Sequence, residues 1–353
     1  MYETKVLFLC SGDYPAEPQH GGGTAEKPTP ALYDGAYEYN FGYTTKLPPP
    51  PPPPVLIAVM GKTGTGKTSF INAITGGEGG LRVGHGLESC TQDIQTASAT
   101  ISGREVWLVD TPGFDDTNRS DVDILASIAD WVKQASQDRK HLSGIIYFHR
   151  IVDPRMEGSN MKNLKMFREL CGDKNFNNVI LLTTMWDKVD EEEGRKREEE
   201  LKSRAGFWGN LISRGAQVKR HRGPDFTASA REIAQPLIEK DTIVLQLQEE
   251  LGGNRSLSDT SAGRFLTGEI EVIRKKHQEE MEELKAEMHT SANKEEIKLL
   301  KECYQQEIQG LKRVTDEMEK LRAQDQQHFQ RRMEEMQQRW DSRPQHNPVC
   351  IIS

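Results

Sequence analysis

The sequence predicts an α/β domain with a mostly parallel sheet, followed by a long helical coiled coil. Three observations carry this. From Val55 onward, short β-branched runs alternate with longer charged segments of helical period, the texture of a βαβ sheet. A glycine-rich turn, Gly61-Lys62-Thr63-Gly64-Thr65-Gly66-Lys67-Thr68, stands between one such run and a helical segment. After about Gly253 the chain is dominated by Glu, Lys, Gln and Arg, with apolar residues at three-and-four spacing up to about Trp340.

Taken in order, residues 1–54 are rich in Gly, Pro, Tyr and Glu and end in the proline run Pro48 to Pro54, so a disordered arm closing on a stiff polyproline rod is expected. The run is either a spacer or a docking site for an SH3, WW or profilin-type partner. Within residues 55–252, strands are expected at Val55 to Met60, Thr96 to Ile101, Glu105 to Asp110, Gly144 to His149 and Val179 to Thr184. Helices are expected at Thr68 to Ala73, Asp121 to Gln134, Met161 to Leu170, Glu192 to Ser203 and Ala230 to Glu239. That order fits a sheet of five parallel strands with one antiparallel edge. Residues 265–341 read as a coiled coil with the seam His277, Met281, Leu284, Met288, then Ile297, Leu300, Tyr304, Ile308, Leu311, Val314, Met318 and Leu321; Thr290 to Asn293 interrupts it. A single solvated helix is the alternative. Residues 342–353 form a flexible tail.

Composition narrows the functional classes. Of 353 residues, 35% are hydrophobic, enough for one sizeable core plus solvated extensions, and the net charge of −8 gives no general attraction to nucleic acid. The five cysteines, Cys10, Cys90, Cys171, Cys303 and Cys350, lack metal-site or disulfide spacing, which fits a reducing, cytoplasmic compartment. No apolar run has the length of a signal-peptide core or a membrane span.

The glycine-rich turn is a complete P-loop. Its glycines let successive backbone N–H groups converge on phosphates, and the following helix adds the positive end of its dipole. Lys67 supplies a point charge to the β- and γ-phosphates, and the Thr68 hydroxyl is a Mg²⁺ ligand, with Ser69 continuing the helix.

Later motifs choose among P-loop proteins. Asp110-Thr111-Pro112-Gly113 closes the apolar strand Val106 to Val109, placing a carboxylate for Mg²⁺ and the Gly113 N–H for the γ-phosphate. Thr91 lies between the first helix and the next strand, where such proteins carry a threonine that closes over Mg²⁺ and the γ-phosphate. Thr184-Met185-Trp186-Asp187 follows a strand where a base-reading Asn-Lys-x-Asp is expected; Asp187 is placed to accept from guanine N1–H and its exocyclic amine, unless it caps the next helix. A later backbone contact to the base is assigned to Ser229-Ala230. An ATP-dependent kinase reading leaves Asp110 to Gly113 and Asp187 without a role. These motifs together define a P-loop GTPase (G domain) reading, with GTP/GDP and Mg²⁺ as ligands.

The blocks Val59 to Ser69, Val109 to Asp116, and His149-Arg150-Ile151 with Arg155-Met156 resemble the AIG1-like, GIMAP-type GTPases, over roughly residues 55 to 290. The likeness is greatest to fungal proteins with one G domain followed by a charged coiled coil. The resemblance implies a fold related to septins and chloroplast import GTPases, guanine-nucleotide binding, and dimerisation through the nucleotide face. Thr184 and Met185 depart from the Asn-Lys pattern.

Fast hydrolysis needs a group that orients water, usually a glutamine after the switch glycine; Phe114 stands there, so slow or partner-assisted hydrolysis is expected. Arg150 or Arg155 is placed to supply charge across a dimer, or else to order its loop by pairing with Asp153 or Glu157. A nucleotide-gated scaffold with negligible catalysis is the second reading. The homodimer is expected to use both the nucleotide face and the coil. The end Cys350-Ile351-Ile352-Ser353 fits a farnesylated CaaX box, hence reversible membrane contact.

Overall fold

The structure, a computed structural model, describes residues 36–39, 43–46, 52–76, 81, 94–114, 119–138, 140–156, 158–290 and 294–341. Thr91, Glu157, Cys350 and Pro48 to Pro51 lie outside these. The chain divides into two units, Met1–Pro52 and Pro53–Ser353. In the first, β1 (Ala36–Tyr39) pairs antiparallel with β2 (Tyr43–Lys46) inside a stretch expected to lack regular structure. Tyr37, Tyr39, Tyr43, Thr44 and Thr45 supply the aromatic and β-branched content that favours strands.

The second unit opens with β3 (Val55–Gly61), buried throughout, and α1 (Lys67–Thr75). There follow β4 (Gln95–Ile101), β5 (Arg104–Asp110), α2 (Asp121–Gln137), β6 (Leu142–Arg150), α3 (Ser159–Cys171) and β7 (Val179–Thr184). Then come α4 (Glu191–Ser203), the short α5 (Asn210–Ser213), β8 (Gln217–Arg220) and α6 (Phe226–Ile238). Strand order is β4-β5-β3-β6-β7-β8, with β4 antiparallel to β5 and the other pairings parallel.

Parallel strands sandwiched between helices must be apolar on both faces, and β3, β6 and β7 are. One face packs on Phe70, Ile71 and Ile74 of α1 and Ile233 and Leu237 of α6. The other packs on Ile124, Leu125 and Ile128 of α2 and Leu164 and Phe167 of α3. All five parallel strands therefore end on one rim, at Gly61, Asp110, Arg150, Thr184 and Arg220, and a sheet of this kind binds ligands beyond that edge.

Beyond the sheet, α7 (Gln246–Gly252) leads into α8 (Ser261–Thr290) and α9 (Lys294–Asp341). These two run antiparallel: the Ser258 N–H donates to Asp325 Oδ1 at 3.2 Å, His277 meets Glu307, and Lys285 lies over the Tyr304 ring at 5.5 Å. The expected interruption after Thr290 is thus the reversal of a hairpin. Leu266 and Ile270 of α8 and Val314 and Leu321 of α9 join the same buried cluster as α2 and α3, and Lys320 pairs with Asp123 at 2.7 Å. The seam expected to serve a coil between chains, narrow and rich in Met, is covered within the chain by α8, α9 and the flank of α2. Ile308 is the one seam residue left exposed. Among the described residues, no helix is long and apolar enough to cross a membrane.

Candidate functional site

The P-loop leaves β3 at Gly61 and enters α1 at Lys67. Gly66, the residue capping α1, has φ 93°, a left-handed conformation in which glycine alone escapes the Cβ penalty. No side chain caps this helix, so its first-turn N–H groups are directed into the loop. Thr65 Oγ1 closes the loop onto the Lys62 carbonyl at 2.8 Å. Lys67, buried, folds over it and donates to the carbonyls of Gly61 at 3.0 Å and Lys62 at 3.2 Å.

Beneath the loop, Thr68 Oγ1 donates to Asp110 Oδ2 at 2.6 Å. A hydroxyl and a buried carboxylate in contact are hard oxygen donors of the kind Mg²⁺ takes, so this pair fits that cation. Thr111 Oγ1 donates to the Val59 carbonyl at 2.8 Å and thereby fixes the second motif to the central strand. Gly113 lies against the cradle: a Cβ there would sit 2.4 Å from the Thr63 nitrogen, so any side chain would force the second motif away from the P-loop. Phe114 turns into the core beside α2, which explains physically why it cannot orient a water at the phosphates.

At the base end, Thr184 Oγ1 donates to the Thr65 carbonyl at 2.9 Å. A threonine in place of asparagine therefore keeps a bond between the base motif and the phosphate cradle. Met185 has φ 61°, and Asp187 is exposed on the short turn Trp186–Lys188. The alternative role for Asp187, capping the next helix, is taken by Asp190, whose carboxylate accepts from the Glu192 and Glu193 N–H groups at 2.9 and 3.3 Å.

Ser229-Ala230, expected to contact the base through its backbone, instead lies inside α6 with Ala230 fully buried. The chain reaches the rim earlier, at His221, whose N–H donates to the Thr183 carbonyl at 2.9 Å. Its ring meets Ser229 Oγ at 3.2 Å, and burial lowers its pKa. Arg220 lies over the Trp186 ring at 4.3 Å and is held by Glu198 through two bonds of 2.9 and 2.6 Å. Trp186, Arg220 and His221 were not assigned to the site from sequence; the compact basic run Lys219 to Arg222 after a short strand was the available signal.

Arg150, at the end of β6, pairs with Asp153 at 2.8 Å, as the loop-ordering alternative anticipated. Its Nη1 nonetheless lies 3.8 Å from where a Gly64 Cβ would stand, directly beside the P-loop. Arg155 is exposed, and its carbonyl accepts from Asn160 Nδ2 at 3.3 Å. His149 is buried edge-on against Trp208 at 5.9 Å. Burial pushes its imidazole down to about 4; the Asp153 charge acts upward and Arg150 downward. Lys62 Nζ donates to Ser159 Oγ at 2.7 Å, linking the loop to the start of α3.

Residues 56–182 match the family model described as 50S ribosome-binding GTPase. With the strand order and the cradle, this makes the middle of the chain a P-loop GTPase G domain. The chain is 28% identical over 138 residues to GTP-binding protein A of Dictyostelium discoideum, covering 38% of this chain and 28% of that protein. It is 32% identical over 132 residues to Translocase of chloroplast 90 of Arabidopsis thaliana, covering 36% of this chain and 16% of that one. The matches therefore span less than a third of these relatives. Among solved structures, Toc33 from Arabidopsis thaliana in complex with Mg²⁺ and GMPPNP is similar at TM-score 0.42 and 17% identity, over 54% of this chain and 88% of that one.

Proposed function

We propose that this protein is a nucleotide-controlled switch that binds GTP and GDP with Mg²⁺ and hydrolyses GTP slowly. The observation that carries it is the contact of Thr68 with Asp110 under a P-loop whose carbonyl at Thr65 is tied to the base motif by Thr184. Phosphate, metal and base-reading elements then form one connected unit, as a triphosphate sensor requires. The Dictyostelium relative, by its name a GTP-binding protein, supports the choice of ligand.

Burial of Phe114 supports slow turnover by the isolated chain. The resemblance of the motif blocks supports completion of the site across a homodimer through the nucleotide face, with exposed Arg155 as one candidate to supply charge and Arg150, beside Gly64 of its own chain, as the other. The motif blocks support placing the domain in the AIG1-like branch. Farnesylation at Cys350 with membrane contact, and recognition of the proline run by an SH3, WW or profilin-type partner, rest on sequence alone. A scaffold that uses nucleotide only to set its assembly state is the second reading, favoured by the same burial of Phe114.

Single-turnover GTP hydrolysis over a range of protein concentrations tests both. A per-chain rate that rises with concentration, and that falls in Arg150→Ala or Arg155→Ala, supports the dimer-assisted switch. Tight GTP binding without hydrolysis at any concentration selects the scaffold, and absence of guanine-nucleotide binding contradicts both.

A further inference from the structure

We propose that the helical hairpin carries a transition-metal site made by His277 and Glu280 of α8 and Glu307 of α9. The three side chains bring ligand atoms within 4.8 Å of one another. His277 Nδ1 is hydrogen-bonded to Glu307 Oε2 across the hairpin, and Glu280 lies one turn along on the same face of α8, at i+3. A His and a Glu at i, i+3 with a carboxylate from a facing helix is the way metal sites are assembled between packed helices.

The imidazole is seated in a gap built for it. Gly310 on α9 lies under the ring, and a Cβ there would stand 2.5 Å from Cε1 and 2.8 Å from Nε2 of His277. A glycine inside a helix is less favourable than alanine, and here it admits the ring against the α9 backbone.

The donor set selects the ion. One imidazole nitrogen with two carboxylates suits Zn²⁺, Co²⁺ or Ni²⁺ and leaves further positions to water, whereas Ca²⁺ takes more oxygens and Mg²⁺ near-ideal octahedral oxygen geometry. Bond lengths of about 2.0–2.2 Å put neighbouring ligand atoms about 3.4 Å apart, so an ion enters as the His277–Glu307 hydrogen bond opens and Glu280 turns in by side-chain rotation. Its present partner, Lys276 at 3.3 Å, forms an i,i+4 pair with side chains 72% and 37% exposed, and such a surface pair yields readily.

The location gives the site a structural role. Among the described residues, the buried ones of α8 end at Ile270 and those of α9 begin at Val314. Between them, the outer hairpin relies on half-buried Met281, Leu284, Leu300 and Tyr304. An ion bound by His277, Glu280 and Glu307 would staple the two helices at the point where apolar burial runs out.

The test uses the full chain saturated with GDP and Mg²⁺, titrated with CoCl₂ and with ZnCl₂. The proposal predicts a Co²⁺ d–d absorption band saturating at one ion per chain, displaced by Zn²⁺, and a rise in melting temperature with either ion. His277→Ala abolishes both effects. Glu280→Gln, which leaves the imidazole and its seat on Gly310 intact, weakens both without changing the melting temperature of the metal-free protein. No band and no stabilisation in the parent chain, or effects that persist undiminished in both variants, overturn the assignment.

Discussion

Thr184 Oγ1 donates to the Thr65 carbonyl at 2.9 Å, joining two residues that are 119 positions apart in the chain. The bond is buried and connects the end of β7 to the middle of the P-loop, so the base-reading turn and the phosphate cradle hold each other in place. Replacing Thr184 by Val keeps the shape and removes the donor. A buried bond of this kind is worth about 1 kcal/mol, so Thr184→Val is expected to lower stability by about that amount. The P-loop also loses an anchor, and nucleotide affinity is expected to fall about tenfold, the equivalent of about 1.4 kcal/mol. Urea unfolding and fluorescent-GDP titration report the two effects separately.

The pair of Thr68 and Asp110 predicts a metal dependence. Thr68→Ala removes one oxygen donor and the 2.6 Å bond that orients the carboxylate. Nucleotide affinity measured with Mg²⁺ is expected to fall to about the value measured in EDTA, while affinity in EDTA changes little. Equal losses under both conditions would mean that Thr68 supports the loop and not the ion.

His149 predicts a pH dependence of stability. In the unfolded chain an imidazole protonates near pH 6.5; in the fold, burial holds His149 at about 4. The unfolded state therefore binds the proton first as pH falls. This contribution to stability is full above about pH 6.5, declines between there and about pH 4, and levels off below. His221, lowered by burial as well, adds to the same slope. The urea midpoint compared at pH 7.5 and pH 5 measures it, and His149→Gln is expected to flatten the difference.

The docking of the hairpin predicts a local unfolding unit. Among the described residues of α9, Leu321, 3% exposed, and Val314, 8% exposed, are the ones buried in the cluster shared with the domain. Leu321→Ala is expected to cost about 2–5 kcal/mol of that docking. Because the Lys320 ammonium is half exposed and Asp123 one-third exposed, the pair is still reached by solvent, and Lys320→Ala is expected to cost about 1 kcal/mol or less. Hydrogen exchange in α9 and α8, with protection in β3 and β6 unchanged, distinguishes undocking of the hairpin from loss of the sheet.

Most of the sheet was legible in the sequence because its strands are apolar on both faces and its helices are not. β8 escaped notice because Gln217-Val218-Lys219-Arg220 is a short, half-exposed edge strand with no apolar run. α7 and α5 are likewise too short to show a period. The hairpin seam was readable, but heptads do not state whether the partner helix is another chain or the same one returning. At the site, the P-loop and Asp110 to Gly113 are contiguous motifs, legible without knowing what packs against them. The arrangement of Trp186, Arg220 and Glu198 was not, because those three residues meet only through tertiary packing. Asp190 rather than Asp187 capping α4 depends on where the helix begins, which sequence fixes only loosely.

The central claim, a guanine-nucleotide switch, turns on the exposed carboxylate of Asp187. Calorimetric titration of the full chain with GTP, GDP and ATP in Mg²⁺, alongside Asp187→Ala, tests it most directly. GTP and GDP are expected to bind at micromolar affinity or tighter and ATP at least about a hundredfold more weakly, and the variant is expected to lose this preference while retaining weak binding through the P-loop. Equal binding of ATP and GTP by the parent chain, with the variant indistinguishable from it, would contradict the account.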